Sequence, residues 1–318
     1  MTKIRYSLGV DLGGTSIKIG IVSESGKIKK RLTLETHAEA GPEAVVQQIK
    51  KGIHKILKNN DRPIEGIGIG SPGLVTSKKG IVHNPPNFPG WDVLPLGNII
   101  KKEFKTNVFV ENDANAAAVG ELIFGAGQGF DDYVMITLGT GVGGGIVFNK
   151  KLFKGSTGAA GEIGHLKIKS DGIKCKCGGT GCLEAYTGIN YLIKIVSERL
   201  KNNQSLLNEW VNSGEHNLTP KLIHEAALKG DEFALGIINE VGFNVGSGLS
   251  SVVNVLDITN IIIGGGVAGF GKFLFDPLTK TLRENVMATM RERICVKPAK
   301  LKNNAGIKGA SGLVFYKM

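Results

Sequence analysis

The chain has 318 residues, 42% of them hydrophobic, which is enough to bury a sizeable core as two domains or one large one. No apolar run approaches the roughly 20 residues that span a bilayer, and the opening MTKIRYSLGV carries no long apolar leader, so a membrane protein is not expected and the cytoplasm is the expected location. The net charge of +11 raises the prospect of a polyanionic partner, but 32 of the 39 basic residues are Lys, scattered in pairs such as Lys50 and Lys51 without interleaved aromatics, so no nucleic-acid partner is expected.

From Tyr6, YSLGVDLGGTSIKIGIVSESGKI predicts an apolar strand, a Gly/Thr turn, a second strand with alternating apolar residues and a polar hairpin turn. Within it, Gly13 and Gly14 would let backbone amides approach phosphate oxygens, Thr15 adds a hydroxyl, and Asp11 at the strand end suits Mg²⁺ directly or through water. The same letters suit a plain hairpin that uses glycine for positive φ. DLGGTSIK is neither the Rossmann fingerprint nor a Walker A loop, and no G-x-x-x-x-G-K-[ST] string occurs in the chain.

PEAVVQQIKKGIHKIL from Pro42 has helical apolar spacing, and IEGIGIGSPGLV from Ile64 reads as a buried strand entering a Gly/Pro turn. HNPPNFPGWDVLPLG from His83 is too rich in proline for an element interior and predicts a loop carrying Trp91. NVFVENDANAAAVGELIFGAG predicts a short strand ending near Glu111, an Asn-Asp turn and an Ala-rich helix. Asp113 falls at that junction beside Asn112, where a carboxylate suits either proton transfer or a helix cap.

YVMITLGTGVGGGIVFNKKLF from Tyr133 repeats the first strand-turn-strand pattern, one copy for each of two domains. Its LGTGVGGG, Leu138 to Gly145, holds five glycines and a threonine, a turn almost without side chains that favours a phosphate over the backbone amides. GEIGHLKIKSDGIKCKCGGTGCLEA follows, where His165, Cys175, Cys177 and Cys182 form the Cys₃His set of a tetrahedral structural zinc site. A redox pair and simple burial are the alternatives. Helices are expected from about Gly188 to Trp210 and from about Pro220 to Leu256, then a strand NIIIGGGVAG whose Gly264, Gly265 and Gly266 offer bare backbone to a flat adenine ring. The alternation of strands and helices is that of an α/β protein.

Together DLGGTSIK, ENDANAAA, LGTGVGGG, GEIGH and CKCGGTGCLEA, in this order, resemble the ROK family of bacterial sugar kinases and repressors, most closely its ATP-dependent glucokinases, from Leu8 to Val314. The resemblance implies an actin-like, hexokinase-type (ribonuclease H-like) fold of two α/β domains around a cleft, divided as residues 1–112 plus 303–318 and residues 113–302. It implies Asp113 as the base on the sugar 6-hydroxyl, with Asn87, Asn112, Glu162, His165 and Glu184 on other hydroxyls. ATP would be held by Asp11, Gly13, Gly14, Thr15 and Lys18, by Gly139, Thr140, Gly141, Val142 and Gly143, and by Gly264, Gly265 and Gly266, with Mg²⁺. The cysteine cluster favours ATP over polyphosphate, and a homodimer or homotetramer is the family's usual state. With a strand expected to start by about Ile4, the helix-turn-helix of the repressor branch is not expected. Kinases for N-acetylmannosamine, N-acetylglucosamine, fructose or allose share most of these residues, and a non-catalytic sugar sensor is the alternative from another class.

Overall fold

A computed structural model describes residues 4–58, 60–213 and 216–317 as a mixed α/β chain. Its contacts divide it into one compact unit of residues 1–131, 145–161 and 299–318 and another of residues 132–144 and 162–298. The expected division at 112/113 and 302/303 therefore differs from the observed one. The helix that begins at Asp113 stays with the first unit because it packs against the C-terminal helix.

In the first unit, β1 (Tyr6–Leu12), β2 (Ser16–Ser23) and β3 (Ile28–Glu35) form an antiparallel meander, followed by α1 (Pro42–Leu57). The chain then gives β4 (Ile67–Ser71), β5 (Leu74–Thr76), β6 (Ile81–His83), β7 (Val93–Leu94), α2 (Leu96–Phe104), β8 (Val108–Asn112) and α3 (Asp113–Phe124). The main sheet runs β3-β2-β1-β4-β8, with β4 parallel to both β1 and β8. The helix α1 occupies the very span its spacing predicts, with Val45, Val46, Ile49, Ile53 and Ile56 buried on one face. The expected loop from His83 contains β7, which extends the small sheet β5-β6-β7.

The last helix, α10 (Ala305–Lys317), returns to the first unit and lies on β1 and β4. A Cβ on Gly68 of β4 would overlap the Ala310 carbonyl, so the absent side chain sets how closely helix and sheet approach. Buried Ser7 and Ser311 join across this contact, Oγ to Oγ at 2.6 Å. Glu121, fully buried in α3, accepts from the Lys300 and Leu301 amides at 3.2 and 2.8 Å and ties the returning chain to α3.

The second unit begins with β9 (Tyr133–Leu138) and the start of β10 (Val142–Phe148); β10 continues into the first unit, where it pairs with β11 (Lys151–Phe153). Then come α4 (Glu184–Thr187), α5 (Ile189–Leu200), α6 (Leu206–Asn212), α7 (Pro220–Leu228), α8 (Glu232–Leu256), β12 (Asn260–Gly264), α9 (Lys272–Asn285) and β13 (Cys295–Pro298). The strand order β11-β10-β9-β12-β13 repeats that of the first sheet, so the two similar stretches at Tyr6 and Tyr133 each open the same topology. Each of the two long expected helices is broken. Ser205 and Asp231 cap new starts through Leu207 N at 3.1 Å and Ala234 N at 2.8 Å. The expected strand to Gly269 ends at Gly264, and residues Val267–Phe270 form a 3₁₀ turn. Among the described residues no helix is long and apolar enough to cross a membrane.

Candidate active site

In the first unit the candidate residues Asp11, Asn112 and Asp113 lie at the C-terminal ends of β1 and β8 and the start of α3. No Asn-Asp turn separates β8 from α3. Asn112 ends the strand and caps the helix itself, its Oδ1 accepting from Ala114 N at 2.9 Å and Asn115 N at 3.2 Å, while its Nδ2 donates to the Gly73 carbonyl at 3.1 Å. With the cap filled by Asn112, Asp113 is left for another task. One carboxylate oxygen accepts from the Ala114 amide at 2.9 Å. The side chain reaches solvent, yet its surroundings are dense enough in protein that desolvation raises its pKa above the ordinary 3.8, against the lowering effect of that amide.

Asp11, next to last in β1, lies close enough to Asp113 for their charges to repel. Its pKa is raised by burial first, with Asp113 adding and the Lys18 ammonium, 4.0 Å away, opposing. Two carboxyls raised in this way at neighbouring strand ends make this corner the candidate site of the first unit. The Asp11 carboxylate rests on the first turn of α10, where a Cβ on Gly306 would collide with it. Gly13 and Gly14 do not have positive φ, so turn geometry alone does not demand glycine there. Gly14 and Thr15 are exposed, and the open side of Gly14 faces Asn87 Cβ at 3.5 Å. Asn87, exposed at φ 67, sits on the proline-rich loop.

In the second unit Gly139, Gly141 and Gly143 likewise lack positive φ, and exposed Thr140 lies between the first two. The Val142 amide donates to Glu184 Oε2 at 2.9 Å, and Gly141 leaves the space that this carboxylate fills. Glu184 thus holds the turn itself, so the Val142 amide, expected to meet phosphate, is already satisfied by protein. Gly265 has φ 89 and packs on the backbone of Leu138, while Gly266 is exposed.

His165 and the three cysteines come together as expected, with one donor atom from each lying within 4.8 Å of all the others. His165 Nδ1 is 3.8 Å from Cys175 Sγ, and Cys177 Sγ is 3.6 Å from Cys182 Sγ. A tetrahedral zinc with bonds of about 2.0–2.3 Å spaces its donor atoms about 3.5–3.8 Å apart, so the residues fit the ion. Burial pushes the Cys175 thiol up to about 11 without a metal charge beside it. The other ring nitrogen of His165 faces Glu162 Oε2 at 3.8 Å, and Glu184 Oε1 lies 3.7 Å from Cys175 Sγ. The cluster therefore neighbours both carboxylates that flank it in sequence.

Several residues that contact the candidate residues carried little or no signal in the sequence. Lys167 Nζ donates to Cys182 Sγ at 3.0 Å in space left by Gly179. Glu111, Ser77 and Lys154 form a polar cluster beside the Asn112–Asp113 corner. Only Glu111 carried a signal, as a charged residue at the end of an apolar strand.

Residues 7–316 match the ROK family. The glucokinase of Thermotoga maritima is 37% identical over 314 residues, covering 99% of this chain and 98% of that protein. The glucokinase of Halalkalibacterium halodurans is 34% identical over 316 residues, covering 98% and 95%. A crystal structure of a ROK family glucokinase from Streptomyces griseus in complex with glucose and AMPPNP is similar with a TM-score of 0.84 at 36% identity, covering 97% of this chain and 98% of that one.

Proposed function

The chain belongs to the ROK family and has its actin-like fold, and we propose that it is an ATP-dependent glucokinase making glucose 6-phosphate. The similarity to glucokinases runs end to end in both partners of each comparison, which supports the whole activity rather than one module. The observation that carries the chemistry is the setting of Asp113, a carboxylate oriented by one backbone amide at a rigid corner whose cap is supplied by its neighbour.

In this reading the 6-hydroxyl oxygen attacks the γ-phosphorus, the bond from that phosphorus to the β,γ-bridging oxygen breaks with its electron pair leaving on ADP, and the hydroxyl proton passes to Asp113. Phosphoryl transfer asks a protein mainly for positioning and charge stabilisation. Asn87, Asn112, Glu162, His165 and Glu184 hold other sugar hydroxyls, since carboxylates and amides accept and donate at fixed angles. The backbone of Gly13, Gly14, Gly139, Gly141 and Gly143, with the Thr15 and Thr140 hydroxyls and Lys18, meets the phosphates; Gly264, Gly265 and Gly266 meet the adenosine. Asp11 holds Mg²⁺, which supplies neutralising charge to the phosphate oxygens when bound. Zinc on His165, Cys175, Cys177 and Cys182 has its four positions filled by protein, so it holds the loop and leaves no site for a reacting water.

A coupled assay with ATP and Mg²⁺ over glucose, N-acetylmannosamine, N-acetylglucosamine, fructose and allose tests the reading. The highest kcat/KM is expected on glucose. A higher value on an N-acetyl sugar removes the glucokinase assignment, and no turnover on any sugar points to a sensor.

A further inference from the structure

Glu111 is a carboxylate at the edge of a sheet, with its side chain only 3% exposed. Four groups converge on it. Oε1 accepts from the Asn112 amide at 3.1 Å and from Asn115 Nδ2 at 3.4 Å. Oε2 accepts from Ser77 Oγ at 2.9 Å and from the Lys154 ammonium, which also donates to Ser77 Oγ at 2.8 Å. Three of these donors are neutral, and Lys154 is the charged one, paired with a carboxylate that protein otherwise encloses.

The position of this cluster gives it a consequence. β8 is the edge strand of its sheet, and Glu111 is the residue before Asn112 and two before Asp113. By accepting the Asn112 amide, Glu111 fixes the peptide that leads into the α3 cap. Asn115, one turn into α3, is held by the same oxygen, so strand end and helix start share one acceptor. Lys154 reaches this corner from beyond β11, and its own carbonyl accepts from the Ala160 amide at 3.2 Å, which closes the loop that anchors it.

We propose that Lys154 is a positioning residue for phosphoryl transfer: through its pairing with Glu111 and Ser77 it holds the Asn112–Asp113 corner in the geometry the base requires. The inference rests on the reading of Asp113 as that base. Removing Lys154 leaves the Glu111 carboxylate without its charged partner; the side chain turns toward water, the Asn112 amide loses its acceptor, and the corner shifts. A displacement of about 1 Å at a reacting group costs about 100-fold in rate.

The test compares K154M, K154R and D113N, each with zinc content and near-UV circular dichroism of the folded enzyme as controls. For K154M, kcat at saturating glucose and ATP is expected to fall about 10- to 100-fold with the KM for ATP within about twofold of wild type. K154R, whose guanidinium can still donate to both oxygens, is expected to recover to within about threefold of wild type. In a D113N background K154M is expected to add little further loss, because the lysine acts through the aspartate. Wild-type kcat in folded K154M beside an inactive D113N overturns this inference alone; wild-type kcat in D113N overturns the base assignment and this inference with it. Should K154M not fold, S77A removes one contact from each charged partner and is expected to lower kcat about three- to tenfold. Unchanged kcat in S77A would then overturn the proposal.

Discussion

If Asp113 is the base proposed above, it is a side chain set against stability for the sake of chemistry. An aspartate whose pKa is raised in the folded state holds its proton to a higher pH than it does unfolded. Its ionisation therefore costs stability, beginning at the ordinary 3.8 and reaching the full cost above the raised value. Asp113→Asn removes that charge. Its expected outcome is a kcat lower by about 10²- to 10⁴-fold with ATP affinity retained, together with a thermal midpoint above wild type at pH 7. The stability gap should close as pH falls toward 4, below which wild-type Asp113 is itself neutral. Calorimetry across pH beside the coupled assay checks both; a lower midpoint for the variant at pH 7 would show that the carboxylate is a structural partner. In the wild type the same raised pKa should move the acid limb of kcat/KM above that of an ordinary aspartate, because Asp113 in its proposed role as base would work only ionised.

Two elements carry the site's precision. The His165–Cys182 loop is one: its four donor atoms lie on one short segment, where a bound zinc would pin GEIGH to the CLEA turn, and Glu184 of that turn accepts from the Val142 amide. Cys177→Ser is expected to lower bound zinc below one per chain and to raise the KM for both glucose and ATP, read by metal analysis and kinetics on the same sample. A zinc-free variant with wild-type KM values would reduce the cluster to a fold staple. The other element is α10, which lies against β4 with no room for a side chain at Gly68. Gly68→Ala must push the helix outward, at an expected cost of about 1–3 kcal/mol in urea unfolding. Because the first turn of α10 carries the contact to Asp11, that shift should also weaken the Mg²⁺ dependence of turnover.

For the whole molecule, the chain passes between its two compact units at 131/132, 144/145, 161/162 and 298/299, so neither unit is a continuous segment that a single cut would release. Ligand binding to the native state is then read as stability of the entire chain. Glucose at 100 times its Kd is expected to add about 2.7 kcal/mol by mass action. N-acetylmannosamine at the same concentration should add less; a larger effect from the N-acetyl sugar would move the substrate assignment. The lysine-rich charge should leave this ligand effect unchanged between low and physiological salt, since glucose carries no charge to screen.

Much of this was legible without coordinates. Helix α1 was readable because Val45, Val46, Ile49, Ile53 and Ile56 repeat at 3.6-residue spacing, a signal that lies wholly within the segment. The duplicated strand-turn-strand openings and the His165, Cys175, Cys177 and Cys182 donor set were readable for the same reason: turn chemistry and chelate spacing are short-range properties. The helix breaks at Ser205 and Asp231 were written in local capping residues and were overrun by reading periodicity alone. By itself the sequence determined the local elements, the residue types able to do the chemistry, and the family. Only the tertiary structure decided who meets whom: Lys154 with Glu111 across 43 residues, Glu184 with the Val142 amide across 42, and Gly306 with Asp11 from nearly opposite ends of the chain. Periodicity tells which face of an element is buried and nothing about its partner, and a charge or a missing Cβ acquires a role only once folding has chosen its neighbour.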